Sequence, residues 1–523
     1  MKTHLHVSWC LLLVLVIGSC SPSDRLEGYV TLRLNSNPTT LDPALIVDVQ
    51  GATVAAKIFN GLVRLRDDLE VGPDIAEKWD VSKDGLTYRF FLRPGVTFRN
   101  GREVRSADVK YSFERVLDPS TRSPNTWLFE RVQGADAFRR GGAHEVSGFR
   151  VLSDHVFEIR LERPFSPFLR VLTMTAAFVV PREEVLRYGR DFSSNPSGTG
   201  PFVLQEWLPD RYIVLQKRDD YFGRKAGVAG IRYRIVPEDL TAVTEFELGN
   251  IDIISLPASA YARFRDDAKW SSHIVPAEGL NTYYLGLNCS RPPFSNREIR
   301  RAVARAVDRE KILATFYEGR GRLARGVVPD LLRQWQLSDV TAVSLRYDPE
   351  AARSAFAREM PGGVETSMYV SADQEVVDLA EIIQAYLAVA GIKVRIVQLE
   401  WSAFKEALNK GEAGMFWLSW WADYPDAENF LFPLFHSSNL GPAGNRTWYR
   451  NRAVDALIEE GQHAAAQNVR QTAYRKAEEA VIEDMPWVFF WHKTDYLVVQ
   501  PWIGGFRSYP IYTMDKGTDL YIR

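Results

Sequence analysis

LAEIIQAYLAVAGIKVRI, running from Leu379 to Ile396, changes its period partway along. Leu379, Ile382, Ile383, Tyr386 and Leu387 recur at the spacing of a buried helical stripe, and Gly391 stops it. From Gly391 to Ile396 the pattern becomes that of a strand, which predicts a helix-to-strand unit. Working outward, strand alternation recurs at Val30, Leu32 and Leu34, at Tyr88, Phe90 and Leu92, and at Phe157, Ile159 and Leu161 against Glu158 and Arg160. Helical spacing recurs at Val109, Phe113 and Val116, started by Ser106 and ended before Pro119. Ser295-Asn296-Arg297-Glu298 reads as a capping box opening a helix with Ile299, Val303, Ala306 and Val307 on its buried stripe. The mixture places the chain in the α/β class.

A chain of 523 residues has room for about three ordinary domains. Neither a tandem repeat nor a low-complexity linker separates them, so the domains are expected to be interwoven. Composition is ordinary for a globular protein, with 46% hydrophobic and 25% charged residues. Net charge is −2, and one unit more negative without a leader whose one charged residue is Lys2. So balanced a chain carries no electrostatic footprint for nucleic acid.

The leader has a basic start, an uncharged stretch from Val7 to Ile17, and then Gly18-Ser19-Cys20. Its apolar run is shorter than the roughly 20 residues a spanning helix needs. It resembles a bacterial lipoprotein signal, 1–19, cleaved so that Cys20 carries a diacylglyceryl anchor; the plainer alternative is an ordinary secretory signal. With Cys10 in the leader and Cys20 lipidated, only Cys289 remains. It has no intrachain disulfide partner and no histidine near it in sequence, and reads as a small buried hydrophobe.

Several stretches together resemble the family 5 extracellular solute-binding proteins, the peptide-binding components of ABC importers. They are Pro38-Thr39-Thr40-Leu41-Asp42-Pro43 with Ile58-Phe59-Asn60-Gly61-Leu62, and Leu69 to Trp79 running on to Arg93-Pro94-Gly95-Val96-Thr97-Phe98. Further along come Gly198-Thr199-Gly200-Pro201-Phe202 with Arg218-Asp219-Asp220-Tyr221-Phe222, and Leu287-Asn288 running into the capped helix. Gly391 to Trp401 and Trp421-Ala422-Asp423-Tyr424-Pro425-Asp426 complete the series. Most of the glycines and prolines in these motifs are first of all turn-formers.

The resemblance implies a two-lobed periplasmic-binding-protein-like fold (type II, large cluster with an extra inserted domain), with ligand enclosed between the lobes. Lobe I would comprise 24–54, 191–285 and 494–523, the inserted domain 55–190, and lobe II 286–493. It also implies an exported, non-catalytic binder, periplasmic or at the outer face of the cell membrane, lipid-anchored and monomeric. Such a protein captures peptides, here oligopeptides, and delivers them to an ABC permease.

Trp417 to Phe435 holds Trp417, Trp420, Trp421, Tyr424, Phe430, Phe432 and Phe435 among the acids Asp423, Asp426 and Glu428. Aromatic faces suit a pocket accepting varied side chains, and they attract cations. Phe430 and Phe432 are expected in the core. By the resemblance, Asp423 matches the aspartate that pairs with the ligand's α-ammonium group; a turn or N-cap role before Tyr424-Pro425 is the plainer reading. Trp420 and Trp401 match aromatic walls of that pocket, Trp421 is grouped with them, and Val49 and Tyr283 match ligand-lining positions. Short-peptide binders often place a base in the segment matching Tyr369 to Glu375, but this one has acids, so Lys405 or Lys410 is considered as counter-charge. Strict dipeptide specificity is therefore not expected.

An oligosaccharide, a nickel chelate or a cationic small molecule is the alternative solute. The histidines of the mature chain show no HxH or HxxxH spacing, so neither a histidine-held metal nor a cofactor is expected. A secreted hydrolase is the reading from a different class. The chain lacks G-x-S-x-G, H-E-x-x-H and G-x-x-x-x-G-K-[ST], which argues against it.

Overall fold

The structure, a computed structural model, describes residues 25–332 and 345–523. Cys20 and the leader lie outside the described residues. The helix read from Leu379 onward spans Gln374–Ala390, capped by the Asp373 side chain and closed by Gly391 in the left-handed region at φ 98°. It connects two parallel neighbours, Val364–Ser371 and Ile392–Leu399, so the quoted stretch is the second half of a β-α-β unit. Beyond Val364–Ser371 the sheet continues through Met415–Trp421 and Asn281–Leu287 to Trp487–Val499.

Trp487–Val499 joins the two lobes. Its Trp487–Trp491 portion pairs with Tyr283–Gly286, while Thr494–Val499 pairs with Ile274–Glu278 and Ile253–Ser255. From there the other lobe's sheet runs through Tyr29–Leu34, Gly230–Ile235, Tyr212–Lys217 and Phe202–Leu208. Asn281–Leu287 pairs on one side with Met415–Trp421 and on the other with the Trp487–Trp491 portion, while Ile274–Glu278 pairs with the portion beyond Lys493. Between Leu34 and Phe202 stands a separate antiparallel sheet, ordered Ala76–Val81, Thr87–Leu92, Val156–Arg160, Phe149–Ser153. It has its own core around Phe90, Phe113, Phe129 and Phe157.

Helix Ser106–Leu117 ends before Pro119, and its Asp108 carboxylate accepts the Arg105 N–H at 2.8 Å. The helix expected after Ser295 starts a residue later. Asn296, in extended conformation, accepts the Glu298 N–H at 2.8 Å, and the Glu298 side chain turns to Arg301 at 3.1 Å. Glu158, expected on a solvent face, is buried with Arg89 and Arg150 each at 2.8 Å, which satisfies its charge. Cys289 is packed against the lobe II core, and burial pushes its thiol up to about 11, consistent with an inert side chain.

Two ties hold the lobes and the inserted domain around a common space. The C-terminal segment is fixed to helix Val49–Ile58, where buried Lys57 meets Asp515 at 2.8 Å and Lys516 donates to the Phe59 carbonyl at 2.8 Å. The inserted domain meets lobe II where the Ser166 N–H donates to the Gln462 carbonyl at 2.9 Å and Arg170 approaches Asp426 at 3.8 Å. Gly198-Thr199-Gly200 passes directly under the end of the same helix. A Cβ on Gly200 would lie 2.4 Å from the Lys57 carbonyl oxygen. Gly200→Ala is therefore expected to lower the unfolding free energy by about 1–3 kcal/mol in urea titration; an unchanged midpoint would contradict this packing.

Candidate functional site

A cavity of about 800 Å³ lies where the parts meet. The start of helix Val49–Ile58 and the loop before it form one wall, Asn125–Arg131 and Met174–Ala176 of the inserted domain a second, and lobe II residues from Trp420 to Phe432 a third. Ile511–Thr513 of the C-terminal segment complete it. The volume falls within the roughly 300–1,000 Å³ of small-ligand sites. Val47, Val49 and Tyr512 are apolar or aromatic yet exposed (68%, 42% and 40%), because the surface they expose is cavity wall.

Asp423 sits between strand Met415–Trp421 and helix Glu428–Phe435. Its backbone N–H donates to Asn429 Oδ1 at 2.9 Å, and Asn429 Nδ2 donates back to Asp423 Oδ2 at 3.3 Å. That reciprocal pair fixes the turn and leaves the rest of the carboxylate facing the cavity. The side chain is exposed to the space inside the cavity, with protein on the sides away from it. Desolvation consequently raises its pKa above the usual 3.8, and the Asn429 amide offsets this only in part.

The neighbouring acids are spoken for. Buried Asp426 takes both oxygens to Arg470 Nη2, at 3.0 and 2.8 Å. Glu428 accepts from the Tyr424 hydroxyl and from Gln462 Nε2 at 2.6 Å, and burial raises its pKa. Of these acids, Asp423 is left with one weak amide donor and an open face.

Of the residues read from sequence, the structure brings Asp423, Trp420 and Val49 to the cavity wall. Trp421 is on the other face of its strand, with its ring against Gly279 where the chain changes lobes. Trp401 opens helix Trp401–Asn409, half exposed, with its ring tilted against Phe404 at 5.8 Å and off the cavity wall. Tyr283 packs beside Trp417 at 6.2 Å, with its hydroxyl raised by burial, and is not on the wall of this cavity. Lys405 lies over Trp401 and Lys410 pairs with Glu406, so neither lysine lines the cavity. Phe430 is core as expected, but Phe432 lines the cavity because helix Glu428–Phe435 turns that face inward.

The inserted domain supplies residues that sequence reasoning missed. Trp127 faces Tyr424 at 6.3 Å, and Arg131 stacks over Phe165 at 4.0 Å and lies 5.9 Å from Phe432. Local patterns around 125–131 signal only turns and core, so nothing in the sequence pointed to them.

The family described as bacterial extracellular solute-binding proteins, family 5 Middle, matches residues 70–442. The chain is 29% identical to a probable di/tripeptide-binding protein 5 of Pseudomonas aeruginosa, covering 94% of this chain and 92% of that protein. It is 28% identical to heme-binding protein A of Haemophilus influenzae, covering 94% and 91% respectively. Among solved structures it is similar to a periplasmic binding protein, DppA, of Helicobacter pylori in complex with peptide STSA. That likeness has 25% identity and a TM-score of 0.78, and covers 95% of this chain and 98% of that one.

Asp423→Asn should stabilise the empty protein near neutral pH. A carboxylate whose folded-state pKa is raised costs stability above that pKa and costs nothing below its ordinary 3.8. Thermal melts should show the variant above wild type at pH 7 and the two converging below pH 3.8; a constant difference across pH would contradict the titration.

Proposed function

The chain belongs to the bacterial extracellular solute-binding proteins, family 5, and on that premise we propose that it captures peptides through their free amino terminus. The observation that carries the reading is the Asp423 carboxylate, on the cavity wall with no cation within ion-pair distance among the described residues, while its neighbours Asp426 and Glu428 are paired. An ammonium group brings positive charge and several N–H donors to that carboxylate. Trp420, Trp127 and Phe165 provide broad faces for the side chains that follow. Relatives named for dipeptide and di/tripeptide binding support the choice of solute.

The protein acts by binding, without turnover, and passes its cargo to a membrane permease. Closure of lobe II on the inserted domain presents the loaded form. Among the described residues no helix is long and apolar enough to cross a membrane; the lipoprotein-like signal that ends at Cys20 is what supports a binding domain tethered by lipid. Cys20→Ser should move the protein from the membrane fraction to the soluble exported fraction and abolish palmitate labelling; unchanged fractionation would remove the anchor.

Calorimetric titration tests the solute. Asp423→Ala should weaken binding of peptides with a free amino terminus by roughly ten- to hundredfold, the worth of a charge-assisted hydrogen bond, and leave N-acetylated peptides little changed. Equal loss for both would take Asp423 out of its role. Saturable binding of a sugar or of haem, with no peptide bound, would overturn the peptide reading.

A further inference from the structure

The cavity wall carries the acids Asp48, Glu130, Asp423 and Glu428 but a single guanidinium, that of Arg131. Most of the acids are occupied. Asp48 caps helix Val49–Ile58 through the Gly51 N–H at 2.7 Å, Glu130 pairs with Arg139 at 2.9 Å, and Glu428 is held by Tyr424 and Gln462. The field of Arg131 reaches Glu428, but no carboxylate lies within ion-pair distance of Arg131 among the described residues.

Its placement is built. The Arg131 carbonyl accepts the Glu162 N–H at 2.9 Å, which fixes the backbone to the inserted domain's sheet edge. The guanidinium lies over Phe165 at 4.0 Å with Phe432 of lobe II 5.9 Å away. A ring takes the face of a guanidinium and leaves its N–H edge free for a planar, bidentate acceptor. Beyond it a second cavity of about 440 Å³ shares Glu130, Arg131 and Phe432 with the first, so Arg131 stands at the passage between the two.

The two unmatched charges face the same space across the closure. Asn429 holds Asp423, and Phe432, three residues further along the same helix, lies beside Arg131. Their anchors are thus about one helical turn apart, roughly 5 Å along the axis. Asp423 belongs to lobe II and Arg131 to the inserted domain.

We propose that Arg131 receives the carboxylate of the solute whose ammonium meets Asp423. The counter-charge absent from Tyr369 to Glu375 is then supplied by the inserted domain, and the chain selects short zwitterionic peptides that end within the first cavity. Such a ligand ties lobe II to the inserted domain by its own two charges. The inference rests on the peptide reading above and adds the carboxyl terminus to it.

The test is calorimetric titration of wild type, Arg131→Gln and Arg131→Lys with N-free di-, tri- and tetrapeptides of alanine and phenylalanine, each as free acid and as C-terminal amide. Wild type should prefer acids over amides by roughly tenfold or more, as for other charge-assisted bonds. Arg131→Gln should lose that preference with amide affinity kept, and Arg131→Lys should retain part of it. Equal binding of acid and amide by wild type, or an unchanged preference in Arg131→Gln, overturns the assignment and leaves the peptide reading standing. Parallel loss of acid and amide binding in Arg131→Gln, with Arg131→Lys no better, marks a structural role and also overturns it. If wild type binds no peptide of the panel in either form, the peptide reading falls and takes this one with it.

Discussion

A carboxylate on a cavity wall with one amide for a partner raises the free energy of the folded chain, because desolvation penalises its charge and little offsets it. Asp423 is in that position, and the turn around it shows that the environment is selective rather than generally starved of donors. Asp426 and Glu428, a few residues on, are buried more deeply and yet receive Arg470, Tyr424 and Gln462. The same turn therefore spends strong donors on two acids and withholds them from the third. A charged guest with N–H donors turns that unfavourable contact into a favourable one.

The architecture makes that exchange conditional on closure. No single part of the molecule owns the cavity: lobe II brings Asp423 and Trp420, the inserted domain brings Trp127 and Arg131, and the remaining wall comes from Ile46–Ala52 and Ile511–Thr513. The link between the lobes is slender, since the chain passes at Gly279-Leu280 and again within Trp487–Val499. A solute touching both sides favours the closed arrangement by the difference in its affinity for the two states. Lobe II and the inserted domain also touch directly, through Ser166, Arg170 and Tyr424, the last buried in the inserted domain's core.

Much of the fold was legible because the signals are local. The period change at Gly391, the alternation at Tyr88, Phe90 and Leu92, and the stop before Pro119 each follow from neighbours in sequence. Misreadings came where a contact distant in sequence decided the outcome. Glu158 alternates like a surface residue but is buried by the charges of Arg89 and Arg150. The site divides in the same way. Asp423 and Trp420 share a dense aromatic and acidic run and could be singled out, whereas Trp401 and Trp421 look alike in composition yet face elsewhere. Which acid would be left open depended on Arg470, Gln462 and Arg170, far along the chain. Arg131 could not be read at all, since its meaning comes from Phe165 and Phe432 closing around it.

The most direct measurement is the titration of the Asp423 side-chain carboxyl by carbon-13 NMR, in protein stripped of ligand and in protein saturated with a peptide. In the stripped form this carboxyl should titrate above 3.8, held up by desolvation. Saturation should drive its titration sharply downward as an ammonium group takes the open face. An Asp423 resonance that titrates identically in both forms would contradict the account.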